Sequence, residues 1–566
     1  MSKKILIVGG VAGGAATAVR LRRLNEKDQI IMFDKGPHVS FSNCCIPYHL
    51  SGVIKEPKNL ILLRPEHFSQ IYNIDARVFH EVLSINRLSN EVTVKSLLSG
   101  RVYTEKYDKL VLSPGAKPLV PPIHGIENIS YFTLKTVVDV DLLSQFIKRK
   151  KPSNITVIGG GFIGIEAAEN LAEAGYKVTV VEALPQVLCQ FDHDMIQIIH
   201  KELHDNGIDL VLSDKVSSFE ENIVLLESGK KIRSQVVVFA TGIKPETKLA
   251  IDAGLDIGTT GCIKVDDNYR TNDKNIYAIG DVIEVYGALL KESFSIPLAG
   301  PAQKQARQVA DHINGLRVDN RGYIGSSVVK VFTLSAACTG LSEDFINSRK
   351  MDIAYQTVKV IPSDKVSIMP NSNMVHFKLI YQKSTGRILG AQAIGKGNIT
   401  KRIDIIATII KLNGTVDDLK DLELCYSPPY GTAKDVVNHA GYVASNLMQA
   451  TFKQVHDYQM RDLVDSNTYL MDVRGKREFS KGHLKNSVNI PFSQFRDRIE
   501  ELPREKKILI ICRTGQNSYN VAVALQQVGF KDVYNVCGGF MGISFYEYFA
   551  DKTLKRDPIV TKYNFD

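Results

Sequence analysis

The chain has 566 residues, of which 44% are hydrophobic and 23% are charged, and its net charge is +9. At ~100–200 residues per domain, this length predicts about three or four globular domains. No apolar run approaches the ~18 residues of a membrane span. The basic run 148–151 is too short for a nucleic-acid interface. Gly9 and Gly10 interrupt the first apolar run, which argues against a signal peptide. We therefore expect a cytoplasmic protein with neither a membrane nor a nucleic-acid partner.

The first element in chain order has the pattern of a dinucleotide-binding unit. An apolar strand at 4–8 leads into a glycine-rich turn and a helix that runs to about Leu24, and a second strand at 30–33 ends at Asp34. This βαβ order is typical of a Rossmann fold, in which the turn binds a pyrophosphate. Val11 occupies the place of the second glycine in the strict motif. The predicted turn residues are Gly9, Gly10, Val11, Ala12, Gly13 and Gly14.

A second copy of this pattern has glycines at all three motif positions. A strand at 155–158 precedes the turn, and a strand at 177–181 ends at Glu182. The glycines allow a tight turn and a close approach to pyrophosphate, which the helix N-terminus attracts. The Glu182 carboxylate would accept a hydrogen bond from a ribose 2′-hydroxyl and repel a 2′-phosphate, which predicts a preference for NADH over NADPH. The alternative is that a basic side chain such as Lys177 accommodates the phosphate. The predicted turn residues are Gly159, Gly161, Phe162, Ile163 and Gly164.

Three further strands, at 110–112, 237–240 and 276–279, run into glycine turns. Their turn residues are Ser113, Pro114 and Gly115, then Thr241 and Gly242, then Gly280 and Asp281. With the two motifs in this order, residues 1 to about 445 resemble the pyridine nucleotide–disulfide oxidoreductase family. The resemblance implies FAD on the first motif and NAD(P)H on the second. It also implies that Asp281 contacts the FAD ribityl chain and that Asp34, beside Lys35, contacts the adenosine ribose.

Eight cysteines are scattered along the chain, a pattern that indicates neither a disulfide scaffold nor a zinc site. The segment 40–48, SFSNCCIPY, resembles the SFxNCxxPY motif of coenzyme A-disulfide reductases and CoA-persulfide reductases. The resemblance makes Cys44 the single redox cysteine, which attacks a sulfur–sulfur bond as a thiolate, and places Ser40 and Asn43 beside the pantetheine thiol. Cys45 is interpreted as a buried small residue, with a vicinal disulfide or a resolving role as alternatives.

A tyrosine near the end of the reductase segment and two arginines near its start match functional residues of the family. The segment around Tyr426 resembles the AYxPPYS segment of the family's dimerisation domain, which implies a homodimer in which Tyr426 reaches the partner's active site. A core tyrosine fits the same pattern. The second tyrosine that relatives often carry is missing at 368–371. Arg20 and Arg23 match basic residues that bind CoA phosphates in relatives, and a solvated helix face is the alternative.

The C-terminal segment has the order DVR, EF, GHL, NIP, CRTGQNS and CGG. This order resembles a rhodanese domain over about 110 residues. The loop after Cys512 would surround its sulfur with backbone amides, which stabilises a thiolate or a persulfide anion. Many rhodaneses have arginine at position 517, so Asn517 predicts weaker affinity for thiosulfate-like anions. The predicted loop contacts are Arg513, Thr514 and Gly515.

The predicted fold class is α/β, with two Rossmann-like dinucleotide-binding domains, an α+β dimerisation domain and a C-terminal α/β rhodanese domain. The expected boundaries are 1–115 and 246–325 for the FAD-binding domain, 116–245 for the NAD(P)H-binding domain, 326–450 for the dimerisation domain, 451–460 for a linker and 461–566 for the rhodanese domain.

The predicted function is FAD-dependent reduction of CoA disulfide, CoA persulfide or polysulfide by NAD(P)H at Cys44, coupled to sulfur transfer at Cys512. The alternative is an NADH oxidase or peroxidase that cycles Cys44 through sulfenic acid. Relatives with that activity tend to carry a histidine in the first glycine-rich segment, whereas this sequence has none before His38. A third hypothesis is a redox sensor or sulfur carrier, which fast NADH consumption with a sulfur acceptor would exclude.

Overall fold

The computed structural model describes residues 2–464 and 467–565. The chain forms two compact units. One comprises residues 1–183 and 213–323, and the other comprises residues 184–212 and 324–566. Within the described residues, no helix combines the length and the apolar character needed to cross a membrane.

The first unit contains two parallel sheets, each built around one dinucleotide motif. The strands of the first sheet lie in the order Ile276–Ala278, Lys109–Leu112, Lys4–Val8, Gln29–Phe33 and Asp75–Arg77. The central strands Lys4–Val8 and Gln29–Phe33 are apolar after their first residue because both faces of the sheet are covered, whereas the edge strand Asp75–Arg77 is largely polar. Ala18 of helix Ala12–Leu24 and Val309 of helix Ala299–Ile313 are fully buried in the same core as these strands.

The second sheet of this unit repeats the arrangement. Its parallel strands lie in the order Lys177–Val181, Asn154–Ile158, Val236–Phe239 and Tyr131–Thr133. Helix Phe162–Glu173 follows the glycine turn, and helix Val137–Lys150 begins at Thr136, whose side chain accepts the amide hydrogen of Asp139. The two Rossmann-like sheets that the sequence predicts are therefore confirmed.

The first unit also contains smaller elements. Its antiparallel strands are His80–Asn86, Glu91–Ser96 and Val102–Lys106 in one sheet, Val216–Glu220, Ile223–Leu226 and Lys231–Arg233 in another, and the pairs Ala116–Pro118 with Ile243–Pro245 and Glu284–Tyr286 with Ser293–Ser295. Its short α-helices are Pro65–Tyr72 and Lys248–Asp252. Its 3₁₀ turns are Asn43–Cys45, Pro47–His49, Pro57–Leu60, Ile126–Asn128 and Gly280–Val282.

The second unit contains an antiparallel sheet and a second parallel sheet. The antiparallel strands lie in the order Ser326–Val331, Leu334–Gly340, Ile388–Gly395, Val375–Gln382 and Tyr355–Val360. The parallel strands lie in the order Gln454–His456, Val533–Cys537, Ile508–Ile511, Tyr469–Asp472 and Val488–Asn489. A three-residue strand, Asp209–Val211, also belongs to this unit. These sheets confirm the predicted α/β class with an additional α+β region.

The helices of the second unit come from three stretches of chain. They are His193–Asp205 in the first stretch; Glu343–Ser348, Thr400–Lys411, Val416–Asp421 and Val436–Met448 in the second; and Met460–Val464, Lys476–Lys481, Gln516–Gln527 and Gly539–Leu554 in the third, with 3₁₀ turns at Asp457–Gln459 and Ile499–Glu501.

A buried ion cluster joins these three stretches inside the second unit. Its members are Lys359, Lys378, Asp192, Asp194, Glu343 and Asp457. The Lys378 ammonium lies 2.8 Å from a carboxylate oxygen of Asp194, and the Lys359 ammonium lies 2.6 Å from Asp457. Burial lowers the pKa of Lys378, but the charges of its three carboxylate neighbours outweigh burial and raise that pKa well above its ordinary value. Both lysines therefore stay charged in the interior.

Candidate active sites

The first glycine turn has the geometry of a phosphate cradle. Gly9 has a φ of +95°, and a Cβ added there would lie 2.0 Å from the carbonyl oxygen of Ser113, so only glycine fits. A Cβ at Gly14 would lie 1.8 Å from the carbonyl oxygen of Gly9. The amide of Gly10 donates to a carboxylate oxygen of Asp34 at 2.9 Å. The predicted acid thus lies beside the predicted turn.

The second turn repeats this geometry. A Cβ at Gly159 would lie 2.3 Å from the carbonyl oxygen of Ala240, and the amide of Gly160 donates to Glu182 at 2.6 Å. A Cβ at Gly161 would meet no atom within 4 Å. The space beside Gly161 leaves the backbone open to an approaching pyrophosphate, so the residues of both turns fit dinucleotides.

The remaining predicted cofactor residues lie where parallel strands end. Ser113 follows the strand that pairs with Lys4–Val8, and its amide donates to the carbonyl oxygen of Val8 at 2.7 Å. The carboxyl ends of parallel strands form the ligand-binding edge of such a sheet. Asp281, after the neighbouring strand, lies 3.4 Å from the ammonium of Lys135. Lys35 is mostly exposed and lies 3.8 Å from Glu246.

The predicted redox segment, residues 40–48, is hydrogen-bonded to the first glycine turn. The amide of Ser40 donates to the carbonyl oxygen of Gly10 at 2.8 Å, and the Ser40 backbone has a φ of +49°, which is uncommon for a residue with a side chain. Two 3₁₀ turns, Asn43–Cys45 and Pro47–His49, follow. Cys44 is exposed. Cys45 is partly exposed, so the interpretation of Cys45 as a buried residue is wrong, and neither cysteine forms a disulfide.

Charged groups around Cys44 act on its ionisation in opposite directions. Partial desolvation raises the pKa of the Cys44 thiol, the charges of Glu166 and Asp281 raise it further, and Lys135 lowers it. Burial and the neighbouring Glu169 raise the pKa of Glu166 to about 7, and the Tyr48 side chain is hydrogen-bonded to it. Glu166 therefore exchanges a proton close to neutral pH, near the thiol of the predicted redox cysteine.

Sequence reasoning missed Glu166 and Lys135. Glu166 lies on the helix that follows the second glycine turn, three residues before the buried Glu169. Glu166 and Glu169 lie among mostly apolar residues of this helix, and this pairing was the available signal, because buried carboxylates are rare unless they have a role. Lys135 carried no comparable signal, because its pairing with Asp281 spans 146 residues of sequence.

We expect Glu166→Gln to shift the pH dependence of Cys44 reactivity. Above pH 7 the wild-type Glu166 is ionised and its charge raises the pKa of the Cys44 thiol, whereas below pH 7 it is largely neutral. Loss of that charge should lower the alkylation midpoint of Cys44 by on the order of one pH unit. The measurement is iodoacetamide labelling against pH, quantified on the Cys44 peptide. Glu173→Gln, at the exposed end of the same helix, is the matched control and should leave the midpoint unchanged.

The three arginines of the first helix differ in their surroundings. Arg22 is buried and donates to five backbone carbonyl oxygens, so it stabilises the fold. Arg20 lies 2.6 Å from a carboxylate oxygen of Asp311. Arg23 is exposed. Of the two arginines predicted to bind CoA phosphates, Arg23 therefore presents its charge to solvent more freely.

The predicted partner-facing tyrosine lies at the surface of the second unit. Tyr426 is 50% exposed, and Ile368, at the segment where relatives often have a tyrosine, is 89% exposed. A half-exposed position argues against the core-tyrosine interpretation of Tyr426. Its place in an active site stays a prediction.

The rhodanese-like loop encloses a buried cysteine. Cys512 directly follows the strand Ile508–Ile511 and is 3% exposed. The amide of Gly515 donates to its sulfur at 3.1 Å, and the hydroxyl of Ser518 donates to it at 3.2 Å. Arg513 is exposed and Thr514 is partly exposed at the rim of this loop. Of the predicted loop contacts, the Gly515 amide therefore donates to the Cys512 sulfur, and the Ser518 hydroxyl is a second donor.

The other rhodanese-region cysteine is in a different environment. Burial raises the pKa of the Cys537 thiol to about 12. Its thiol donates to the carbonyl oxygen of Lys359 at 3.3 Å. A buried, hydrogen-bonded thiol with a raised pKa is a poor nucleophile, which fits a structural role.

Three protein families match consecutive parts of the chain. Residues 3–306 match the pyridine nucleotide-disulphide oxidoreductase family, residues 326–436 match its dimerisation domain, and residues 453–544 match the rhodanese-like domain. The first match covers more than half of the chain. The chain therefore belongs to the pyridine nucleotide-disulphide oxidoreductase family and carries a rhodanese domain, which confirms both predicted resemblances. Membership implies FAD and NAD(P)H as cofactors, the groups that the two glycine cradles fit.

Proteins similar to this chain include a coenzyme A disulfide reductase and a persulfide reductase. The coenzyme A disulfide reductase of Staphylococcus aureus strain JH9 is 34% identical over 442 residues, which cover 78% of this chain and 99% of the relative. The crystal structure of reduced Bacillus anthracis CoADR-RHD has a TM-score of 0.94 and 44% identity, with coverage of 98% of this chain and 99% of the other. An NAD-dependent persulfide reductase from A. fulgidus has a TM-score of 0.90 and 32% identity, with coverage of 95% and 99%.

Proposed function

We propose that this enzyme uses NADH to reduce sulfur–sulfur bonds in CoA disulfide, CoA persulfide or polysulfide, and that its rhodanese domain exchanges sulfane sulfur with the same pool of thiols. The observation that supports this most directly is the pair of thiol sites. Cys44 belongs to the unit that contains both dinucleotide cradles, and Cys512 lies in a loop of sulfur-directed donors. The relatives named above include a CoA disulfide reductase and a persulfide reductase.

At the reductase site the chain's own residues prepare a nucleophile. The Cys44 thiolate attacks one sulfur of the substrate, a Cys44–sulfur bond forms, and the substrate's sulfur–sulfur bond breaks as the electron pair leaves on the other sulfur. Lys135 favours the thiolate, and Glu166 can deliver a proton to the departing sulfur because its pKa is about 7. When held in the two glycine cradles, FAD and NAD(P)H would supply the two electrons that break the Cys44–sulfur bond, which frees the bound sulfur as a thiolate or sulfide and restores the Cys44 thiolate.

Several finer assignments belong to the same proposal. NADH is preferred, because the Glu182 carboxylate would repel the 2′-phosphate of NADPH. This carboxylate accepts a hydrogen bond from the Gly160 amide at the glycine turn. CoA binds through Arg23, with Ser40 and Asn43 beside its thiol. The dimerisation domain supports a homodimer in which Tyr426 faces the partner's reductase site. Eight free cysteines fit a reducing compartment and support a cytoplasmic location.

The test is anaerobic oxidation of NADH, and separately of NADPH, with CoA persulfide, CoA disulfide, polysulfide or no acceptor, and then with air-saturated buffer. We expect fast turnover with at least one sulfur acceptor, slow turnover with oxygen, and a preference for NADH. A further reaction starts from CoA and thiosulfate, with thiosulfate at high concentration because Asn517 predicts weak affinity for this anion. Cys512→Ser should lose turnover in that reaction and retain turnover with CoA persulfide. Fast turnover with oxygen that sulfur acceptors do not increase would instead establish the oxidase alternative.

A further inference from the structure

A buried hydroxyl lies beside the sulfur of the rhodanese-like loop. Ser518 is fully buried, and its Oγ lies 3.2 Å from the Sγ of Cys512. We propose that Ser518 is a catalytic residue of this site, whose hydroxyl stabilises the Cys512 thiolate each time sulfane sulfur leaves it. This inference rests on the proposed sulfur transfer at Cys512, and it adds to the loop a side-chain group that the motif alone did not assign.

The position of Ser518 explains why its hydroxyl faces a sulfur. Helix Gln516–Gln527 begins directly after the loop, and Ser518 is its third residue. A serine within a helix commonly bonds a carbonyl oxygen of the preceding turn. Here the hydroxyl is directed at the Cys512 sulfur from the helix, while the Gly515 amide approaches the same sulfur from the loop. Two donors therefore converge on one acceptor atom.

Burial makes this hydroxyl effective. Cys512 is 3% exposed, so little water is available to solvate its negative charge. An ionised sulfur accepts hydrogen bonds and donates none, so the hydroxyl has to act as the donor when Cys512 is a thiolate. Hydrogen bonds to charged acceptors are stronger than neutral ones, and more so away from water. The serine hydroxyl therefore favours the charged over the protonated form.

The step that benefits is the release of sulfur from the loop. An acceptor thiolate attacks the terminal sulfur of the Cys512 persulfide, a bond forms between the two, and the bond between that sulfur and Cys512 Sγ breaks. The electron pair goes to Cys512 Sγ, so the acceptor becomes a persulfide without net oxidation or reduction. A better stabilised thiolate is a better leaving group. Ser518 and Gly515 hold the charge that this step deposits on Cys512.

The test compares Ser518→Ala, Ser518→Thr and Asn520→Ala in the full chain. Iodoacetamide labelling of Cys512 is followed against pH by quantifying its peptide. Ser518→Ala should move the labelling midpoint upward by about one to two pH units, because a hydrogen bond to a charged group is lost. Asn520→Ala, at an exposed position on the same helix, should leave the midpoint unchanged. Ser518→Thr retains the hydroxyl and should restore the wild-type midpoint.

A second readout follows the transfer itself. Cys512 is loaded with sulfane sulfur from polysulfide, and release to CoA is timed. Ser518→Ala should slow release by about threefold to tenfold, as expected for a poorer leaving group. An unchanged midpoint and an unchanged release rate in Ser518→Ala would overturn the role of Ser518. If wild-type Cys512 takes up no sulfane sulfur but Ser518→Ala still shifts the midpoint, the proposed sulfur transfer fails while the stabilisation of the thiolate by Ser518 stands.

Discussion

Cys44→Ser is expected to lower NADH-dependent reduction of CoA persulfide or CoA disulfide by at least on the order of a thousandfold. The reason is that a serine hydroxyl stays protonated at neutral pH and cannot replace a thiolate in thiol–disulfide exchange. The measurement is steady-state NADH oxidation with each sulfur acceptor under anaerobic conditions. The flavin absorbance of the purified variant should match that of the wild type, because Cys44 lies outside both glycine cradles.

The neighbouring thiol provides the matched control. Cys45→Ser changes one atom at the adjacent position, in the same 3₁₀ turn. If Cys45 is only a small packed residue, this variant should retain turnover within about threefold. A loss in Cys45→Ser as large as that in Cys44→Ser would support the resolving role. Full turnover in Cys44→Ser would contradict the proposed reductase site.

Lys378→Met is expected to destabilise the second unit by about 3–5 kcal/mol. The substitution removes the ammonium that lies within 3.0 Å of Asp192, Asp194 and Glu343. It leaves the buried Asp192 without this cation and Asp194 with Lys359 alone. The measurement is denaturant unfolding of the full chain. Lys383→Met, on the exposed end of the same hairpin, should change the unfolding free energy by less than about 0.5 kcal/mol.

The destabilisation of Lys378→Met should increase as the pH rises. In the wild type, burial raises the pKa of Asp194, but Lys378 and Lys359 outweigh burial and hold that pKa below its ordinary value. Burial raises the pKa of the neighbouring Asp192 to about 6 although Lys378 lowers it, so without Lys378 the folded-state pKa of Asp192 should move further above the unfolded value. A group with a raised folded-state pKa loses its stabilising contribution as pH rises. The variant should therefore be closer to the wild type at pH 5 than at pH 8, and equal destabilisation at both would contradict the cluster's role.

Prediction of the fold from sequence succeeded where the signal is local. The first dinucleotide motif needs glycine at Gly9, because the turn has a positive φ and packs against the chain at Ser113. A requirement of this kind is visible in a single short segment, and so are the apolar strands on either side. The two Rossmann-like sheets and the rhodanese-like sheet were therefore predictable, as was the place of Cys512 at a strand end.

Prediction of the sites was less complete. The motif predicts Cys44 as the redox cysteine, and this role stays a prediction. The charged groups that act on its pKa come from other parts of the chain, and among them only Glu166, with its neighbour Glu169, left a signal in the sequence. The predicted roles of Arg23, Tyr426 and the cofactor contacts stay predictions. Ser518 lay within the quoted loop motif, yet nothing in the motif said that its hydroxyl faces the sulfur.

The sequence by itself determined the class of this protein, namely two dinucleotide cradles, a single-cysteine redox segment and a rhodanese loop, because each depends on backbone constraints within a few consecutive residues. Only the tertiary structure decided which charges surround Cys44, that Ser518 faces Cys512, and that Lys359 and Lys378 lie among carboxylates from distant segments. Such pairings follow from packing, since electrostatic energy depends on distance and burial in three dimensions and not on separation along the chain.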